Sequence, residues 1–267
     1  MDQGLRVEAA ERLLEAYETK VTIAPLVDAY GDLDLADAYA IQLLQVERRL
    51  AAGRQVRGHK VGLTSVAMQR MIGVDQPDYG HLLDDMFWPE LTDIPADAFL
   101  QPRLEPEIAF VLKTDLQGPG VTVTDALRAI DFVVPALELI DSRITDWNIS
   151  LLDTIADNAS SGGVVLGGRP TPVDAHDLRL LGCVVRKNGT VVATGAGGAA
   201  LGNPILAVAW LANVLGAHGT VLRAGQVILP GSCTVAVPVD PGDVVSATFA
   251  HLGTVTASFS PHQGDAA

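Results

Sequence analysis

The sequence predicts an α+β protein in which two helices precede a long run of strands. Three observations carry that prediction. Apolar residues recur at helical spacing twice before Gly53. From Val56 onward, short apolar runs are separated by Gly, Pro and Asp, the pattern of strands and turns. Asn188-Gly189 stands between two such runs, Leu181 to Lys187 and Thr190 to Thr194, and this dipeptide is a strong hairpin signal.

Each element follows from local chemistry. Leu13, Ala16 and Tyr17 form the inward side of a helix from Leu5 to about Thr19, with Glu8, Glu11, Glu15 and Glu18 solvated. Asp34 is the expected N-cap of the second helix. Tyr39, Leu43, Val46 and Leu50 are its expected apolar stripe, and Gly53 closes it. Val56 to Thr64 is short, glycine-bounded and β-like, and Ser65 to Ile72 is expected to be helical. Gly73 to Leu83 is rich in Gly, Pro and Asp and is predicted to be a loop. Pro89 to Ala98 is a connector, and Pro102 to Leu112 is a strand. Thr124 is expected to cap a short helix to Ile130, ahead of a strand from Phe132 to Ile140. Val164 to Gly168 is the next strand. Asn203 caps a helix with Pro204 at its first position, ending near Gly216. Gly225 to Pro230, Thr234 to Val239 and Val244 to Phe259 supply the remaining strands.

Composition narrows the function. Of 267 residues, 48% are hydrophobic and 19% charged, which marks a globular chain with a sizeable core. A net charge of -14 argues against a nucleic-acid partner, because phosphate binding needs clustered Lys and Arg. Cys183 and Cys233 are far apart and in no metal-ligand spacing, so reduced, buried thiols in a cytoplasmic protein are expected. The N-terminus has no basic segment followed by an apolar one, so no signal peptide is expected. No Lys, Arg, Asp or Glu occurs between Lys187 and Arg223, but the apolar part, Ile205 to Leu215, is too short to cross a membrane. A buried or interface helix is expected there.

The chemistry gathers on the strand at Arg103. Alternation puts Leu104, Pro106, Ile108, Phe110 and Leu112 on one face, and Glu105, Glu107, Ala109 and Val111 on the other. Glu138 interrupts a second apolar run, Phe132 to Ile140. Two Glu at this spacing also fit a solvated sheet face; Glu138 inside an apolar run is what raises a shared site above that reading. Like charges held together and out of water are costly, and a hard divalent cation removes that cost. Glu105, Glu107 and Glu138 are therefore expected to hold one such ion, with Pro106 at an edge or bulge where its missing N–H is tolerated. Lys60 fits either a buried functional site or a surface position on an edge strand.

Five stretches carry a resemblance to a known family: Gly58-His59-Lys60-Val61-Gly62-Leu63-Thr64, Gly73 to Gly80, Arg103-Leu104-Glu105-Pro106-Glu107, Leu137 to Arg143, and Asp157-Asn158-Ala159-Ser160. In this order they resemble the 2-keto-4-pentenoate hydratases of the fumarylacetoacetate hydrolase superfamily, over nearly the whole chain from Ile23 to Phe259. The resemblance implies a mixed β-sandwich roll of the fumarylacetoacetate hydrolase C-terminal type, with N-terminal helices. Residues 1–75 would form a helical and strand region and 76–267 a catalytic β-roll, packed as one unit.

The resemblance further implies Mg or Mn at Glu105, Glu107 and Glu138. It gives Lys60 and Asp78 acid/base roles, and Ser160 and Leu83 substrate contacts. His59 and His81 are expected to be structural or supporting. The substrate would be a 2-hydroxy-dienoate, hydrated at C4 to a 4-hydroxy-2-oxo acid in meta-cleavage catabolism of aromatic compounds. The protein would be a homo-oligomer, possible partners being a pathway aldolase or decarboxylase. A metal-bound intermediate beside Lys60, together with burial, would lower that lysine's pKa. The sequence departs from the superfamily pattern at Gln226 and Pro230, where Asp and Thr are more usual, which weakens any substrate contact at Pro230.

Two other readings compete. A 4-oxalocrotonate-type decarboxylase would share fold and metal but would need an additional cation for a second carboxylate. Asp75 to Tyr79 and Leu229 to Ser232 resemble the hydratases more, whereas Asn188 to Gly202 leans toward the decarboxylases. A non-catalytic assembly subunit would fold without metal and show no turnover.

Overall fold

The structure is a computed structural model that describes residues 1–65, 69–70 and 74–261. Three helices come first: α1 (Gln3–Thr19), α2 (Leu26–Ala29) and α3 (Leu35–Ala51). Asp34 caps α3 in a reciprocal capping box with Asp37, and Gly53, at φ 93°, follows its end. The buried side of α3 differs from the expected stripe. Ala38, Ile41, Gln42, Gln45 and Val46 are buried, while Leu43 and Leu50 are exposed. Two glutamines face inward, where their amides bond backbone carbonyls of neighbouring elements. Gln42 Nε2 donates to Tyr79 O and Ile155 O, and Gln45 Nε2 to Ala156 O.

The strands are β1 (Val56–Gly62), β2 (Asp78–Leu83), β3 (Phe87–Trp88), β4 (Asp93–Ile94), β5 (Arg103–Leu112), β6 (Ile130–Ile140), β7 (Ser161–Leu166), β8 (Thr171–Pro172), β9 (Gly182–Lys187), β10 (Thr190–Ala196), β11 (Val227–Leu229), β12 (Val237–Pro238), β13 (Val244–Phe249) and β14 (Gly253–Phe259). Three further helices are α4 (Val123–Ala129), α5 (Leu151–Ala156) and α6 (Pro204–Gly216). Among the described residues they form a mixed sheet in the order β2-β1-β11-β5-β6-β7-β3, with β12 on β5 and β8 on β6. A second sheet runs β10-β9-β13-β14-β4. One face of the first sheet, with Leu104, Ile108, Phe110, Val133 and Leu137, packs with the second sheet and α6 in the main core. Its other face carries a smaller apolar patch with Leu82, Ala109, Ala136, Val164 and Leu229. A third cluster joins α1 to α3 with Ile144, Ile155 and Ala156.

Several expectations are corrected. The predicted loop through Leu83 contains β2, a fully buried strand paired antiparallel with β1. Only 74–77 retains loop character, because Gly80 is small for packing and does not mark a turn. A Cβ at Gly80 would lie 2.4 Å from Asn158 O. Thr122, not Thr124, caps α4, in a capping box with Asp125. The connector at Pro89 to Ala98 includes β4, which pairs parallel with β14. Of Thr234 to Val239 only Val237–Pro238 pairs. The helix expected at Ser65 to Ile72 falls mostly outside the described residues.

Pro106 lies in a central strand, not at an edge. Its carbonyl accepts from Cys233 N at 2.9 Å, in the gap between the short pairings of β11 and β12 along that flank of β5. The absent N–H falls in the same gap, since both groups of one strand residue point the same way. Pro135 in β6 repeats the arrangement, its carbonyl accepting from Gly167 N between β8 and β7. Cys183 and Cys233 are both buried free thiols. Gly197–Gly216 is long and apolar enough to cross a membrane by length and composition, but half of its most apolar window is buried inside the protein.

Candidate active site

The β5/β6 register sets Glu105 directly opposite Glu138, with Glu107 opposite Ala136. Like charges in direct cross-strand pairing destabilise a sheet. One carboxylate oxygen from each of Glu105, Glu107 and Glu138 nevertheless lies within 4.8 Å of the other two. Glu107 is 0% and Glu138 1% exposed, and Glu105 is partly exposed. Gly231 N donates to Glu107 Oε2 at 2.8 Å. The other oxygen of Glu107 and Oε1 of Glu138 have no hydrogen-bond partner among the described residues.

Lys60 enters from β1, which lies between β2 and β11 in the sheet interior, so the surface-lysine alternative does not hold. Its Nζ is 3.2 Å from Glu138 Oε1, a charge-to-charge contact without hydrogen-bond alignment. Asp78 is 2% exposed and sits diagonally across from Lys60, because Gly62 pairs with Asp78 and Lys60 with Gly80. Gly62 leaves room for that carboxylate: a Cβ there would lie 2.2 Å from Asp78 Oδ1 and push it aside. Asp78 Oδ1 is also unpartnered.

Electrostatics follow from this crowding. Burial raises the Glu105 carboxyl to about 7, with Glu138 adding and Lys60 opposing. Burial, then Glu138 and Glu105, hold Glu107 well above the carboxylate range. Asp78 is raised by burial against the pull of Lys60. Burial alone would lower Lys60, but Glu138, Asp78, Glu105 and Glu107 outweigh it and the ammonium is favoured. In the protein alone four carboxylates thus raise Lys60, whereas the lowered pKa expected for it belongs to the metal-bound state. The set fits a divalent cation: hard oxygen donors, unpartnered buried oxygens, and more negative charge than one lysine neutralises.

His59 and His81 pair in register behind Lys60, ring centroids 5.0 Å apart. Burial keeps both neutral, pushing His81 to about 4 and His59 well below its usual value. His81 Nδ1 contacts Gln42 Oε1 at 3.1 Å. Neither ring belongs to the carboxylate cluster.

Asn158, Ala159 and Ser160 take φ of 53°, 51° and 52°, one left-handed turn built without glycine. Asn158 clasps the β2 backbone, accepting from His81 N and donating to His81 O. Ser160 Oγ is 3.1 Å from Thr154 Oγ1. Leu83 pairs with Val56 at the far end of β2, on the alternate face from Asp78, Gly80 and Leu82. The structure therefore brings together Lys60, Asp78, Glu105, Glu107 and Glu138, sets Ser160 in the turn beside Gly80, and leaves Leu83 apart. Sequence reasoning missed Gln42 and gave Tyr39 only a place in an apolar stripe, whereas Tyr39 supports β2 by stacking on Tyr79 at 4.7 Å. A glutamine at helical spacing from apolar neighbours was the only available signal.

Comparison with known proteins agrees with this geometry. Residues 67–260 match the fumarylacetoacetate hydrolase C-terminal family. The chain is 46% identical to a 2-keto-4-pentenoate hydratase of Paraburkholderia xenovorans, over 97% of this chain and 96% of that protein. A Pseudomonas putida protein described as TodF product hydratase is 48% identical, over 95% and 94%. The solved 4-oxalocrotonate decarboxylase of Pseudomonas putida G7, complexed with magnesium and adipate, superposes with a TM-score of 0.94 at 38% identity, covering 97% and 98%. The chain belongs to the fumarylacetoacetate hydrolase C-terminal family. Within it, the chain is a member of the 2-keto-4-pentenoate hydratase family.

Proposed function

We propose that this chain is a divalent-metal-dependent hydratase, adding water to 2-hydroxypenta-2,4-dienoate or a close alkyl homologue in meta-cleavage catabolism of aromatic compounds. The buried Glu105–Glu107–Glu138 cluster facing Lys60 carries this reading. Those three carboxylates would hold Mg or Mn, which supplies Lewis acidity toward the substrate's carboxylate and adjacent oxygen. Lys60 would give a proton to the far carbon while the enol hydroxyl gives up its own, which returns to Lys60, so that the dienol becomes a conjugated 2-oxo acid. Asp78, with an unpartnered oxygen, would orient the water and take its proton as oxygen bonds to C4. A proton returned to C3 completes the 4-hydroxy-2-oxo product. The enzyme would act as a cytoplasmic homo-oligomer.

The test is incubation with freshly generated 2-hydroxypenta-2,4-dienoate, with Mg or Mn and with EDTA. Metal-dependent loss of dienol absorbance with 4-hydroxy-2-oxopentanoate formed is expected. CO2 release from 4-oxalocrotonate without hydration of the dienoate would assign the decarboxylase instead.

Two further outcomes follow. Lys60→Met should lower kcat by about 10²- to 10⁴-fold, the range for loss of a positioned proton donor, while magnesium binding persists. An unchanged rate would make Lys60 structural. The second outcome concerns pH. Glu105 titrates at about 7 in the fold against an ordinary 4.5. A raised folded pKa gives stability below the ordinary value that is lost as pH rises through the folded one. The Tm of metal-free protein, relative to Glu105→Gln, should therefore fall between about pH 4.5 and 7, and saturating magnesium should remove the fall. A flat difference would show that this carboxyl is not strained.

A further inference from the structure

Beside the carboxylate cluster stands a buried hydroxyl that the proposed chemistry does not use. Thr64 is 4% exposed, and its hydroxyl lies against the loop that carries Gly231. The backbone is built to hold it in place. Leu63 takes φ 54°, an unfavourable conformation for a branched apolar residue, where the chain leaves β1. The turn is pinned at both carbonyls: Leu63 O accepts from Gln69 Nε2 at 2.8 Å, and Thr64 O from Leu201 N at 3.0 Å.

The facing loop is shaped to match. Gly231 takes φ 111°, and a Cβ there would lie 1.9 Å from Thr64 Oγ1. The hydroxyl therefore rests on the Gly231 backbone, and a side chain at 231 would displace it. The N–H of that same glycine donates to Glu107 Oε2. The Thr64 hydroxyl is thus one glycine away from the cluster. The neighbouring Pro230 offers no donor.

We infer that Thr64 is a substrate-binding residue, its hydroxyl donating to an anionic oxygen of the 2-oxo or 2-hydroxy carboxylate seated at Glu105, Glu107 and Glu138. The inference rests on the function proposed above and adds a recognition contact to it. A hydrogen bond made equally to bound substrate and transition state raises KM and leaves kcat alone.

The test compares wild type with Thr64→Val, which keeps the shape, Thr64→Ala, should the valine variant fold poorly, and Thr64→Ser, which keeps the hydroxyl. Calorimetry measures magnesium affinity, and then oxalate affinity of the magnesium-loaded protein, oxalate being a chelating mimic of the 2-oxo acid head. Loss of the hydroxyl should weaken oxalate binding and raise KM for the dienoate by roughly 10- to 100-fold, as for a hydrogen bond to a charged group. Magnesium affinity should be unchanged, kcat should stay within about 3-fold, and Thr64→Ser should restore most of the binding. Oxalate binding like wild type in Thr64→Val or Thr64→Ala overturns the inference. So does a parallel loss of magnesium affinity, which would make Thr64 a support for Glu107. If wild type fails to hydrate the dienoate, the functional proposal falls, while the oxalate comparison still decides the role of Thr64.

Discussion

Glu107→Gln is expected to reduce metal-dependent turnover by at least about 10³-fold, as for removal of a principal electrostatic stabiliser, while the protein stays folded. Glu107 is fully buried, its shape is nearly kept by glutamine, and Gly231 N can still donate to the amide oxygen. What the change removes is a carboxyl that is costly to ionise in the apo protein. Burial and the neighbouring Glu138 and Glu105 hold this carboxyl well above its ordinary range. Metal-free Glu107→Gln should therefore be as stable as metal-free wild type, or more so. It should gain little from added magnesium, whereas wild type should gain about 2.7 kcal/mol at a hundredfold excess over Kd. Thermal unfolding with and without magnesium, alongside the dienoate assay, separates the two effects. Full turnover in Glu107→Gln would remove this residue from the ligand set. A large apo destabilisation would mean that the carboxylate is held for the fold.

The carboxylate cluster was legible because its signal is local. Glu138 breaks an otherwise apolar run, and strand alternation alone turns Glu105 and Glu107 the same way. The N-terminal helices were legible for the same reason, through Asp34, Gly53 and their spacing. What could not be read depends on distant partners. Gln42 and Gln45 turn inward to donate to carbonyls of residues 79, 155 and 156, and no pattern within α3 announces that. β2 was hidden because Asp78 and Gly80 look like turn residues, although the first is a buried carboxyl and the second packs closely on Asn158 O. Pro106 and Pro135 occupy central strands only because neighbouring strands are short enough to leave gaps beside them.

Arg143→Met is expected to lower stability by about 3–5 kcal/mol, the range for breaking one side of a buried ion pair. In a chain of this size that is a fall in Tm of roughly 10 °C. Arg143 is the largest fully buried side chain. Its guanidinium bonds the Asp157 carboxylate through Nε, Asp157 O at 2.8 Å and Ser161 O at 3.2 Å, and its plane lies over Tyr17 at 4.1 Å. These contacts bracket Asn158, Ala159 and Ser160, so the guanidinium clamps both ends of the left-handed turn. Without it, Asp157, already raised to about 6 by burial, loses its counter-charge, and the turn loses what holds its unfavourable backbone. Through Asn158 the loss passes to His81 and β2, and so to Asp78. Arg143→Lys should recover little, since one ammonium cannot span the three acceptors. Arg143→Met combined with Asp157→Asn should recover more stability than Arg143→Lys, because it also removes the stranded charge. Turnover should stay low in that pair, because the clamp on the turn is still missing. A double variant with both stability and activity restored would show that the clamp serves charge balance alone and has no part in placing β2.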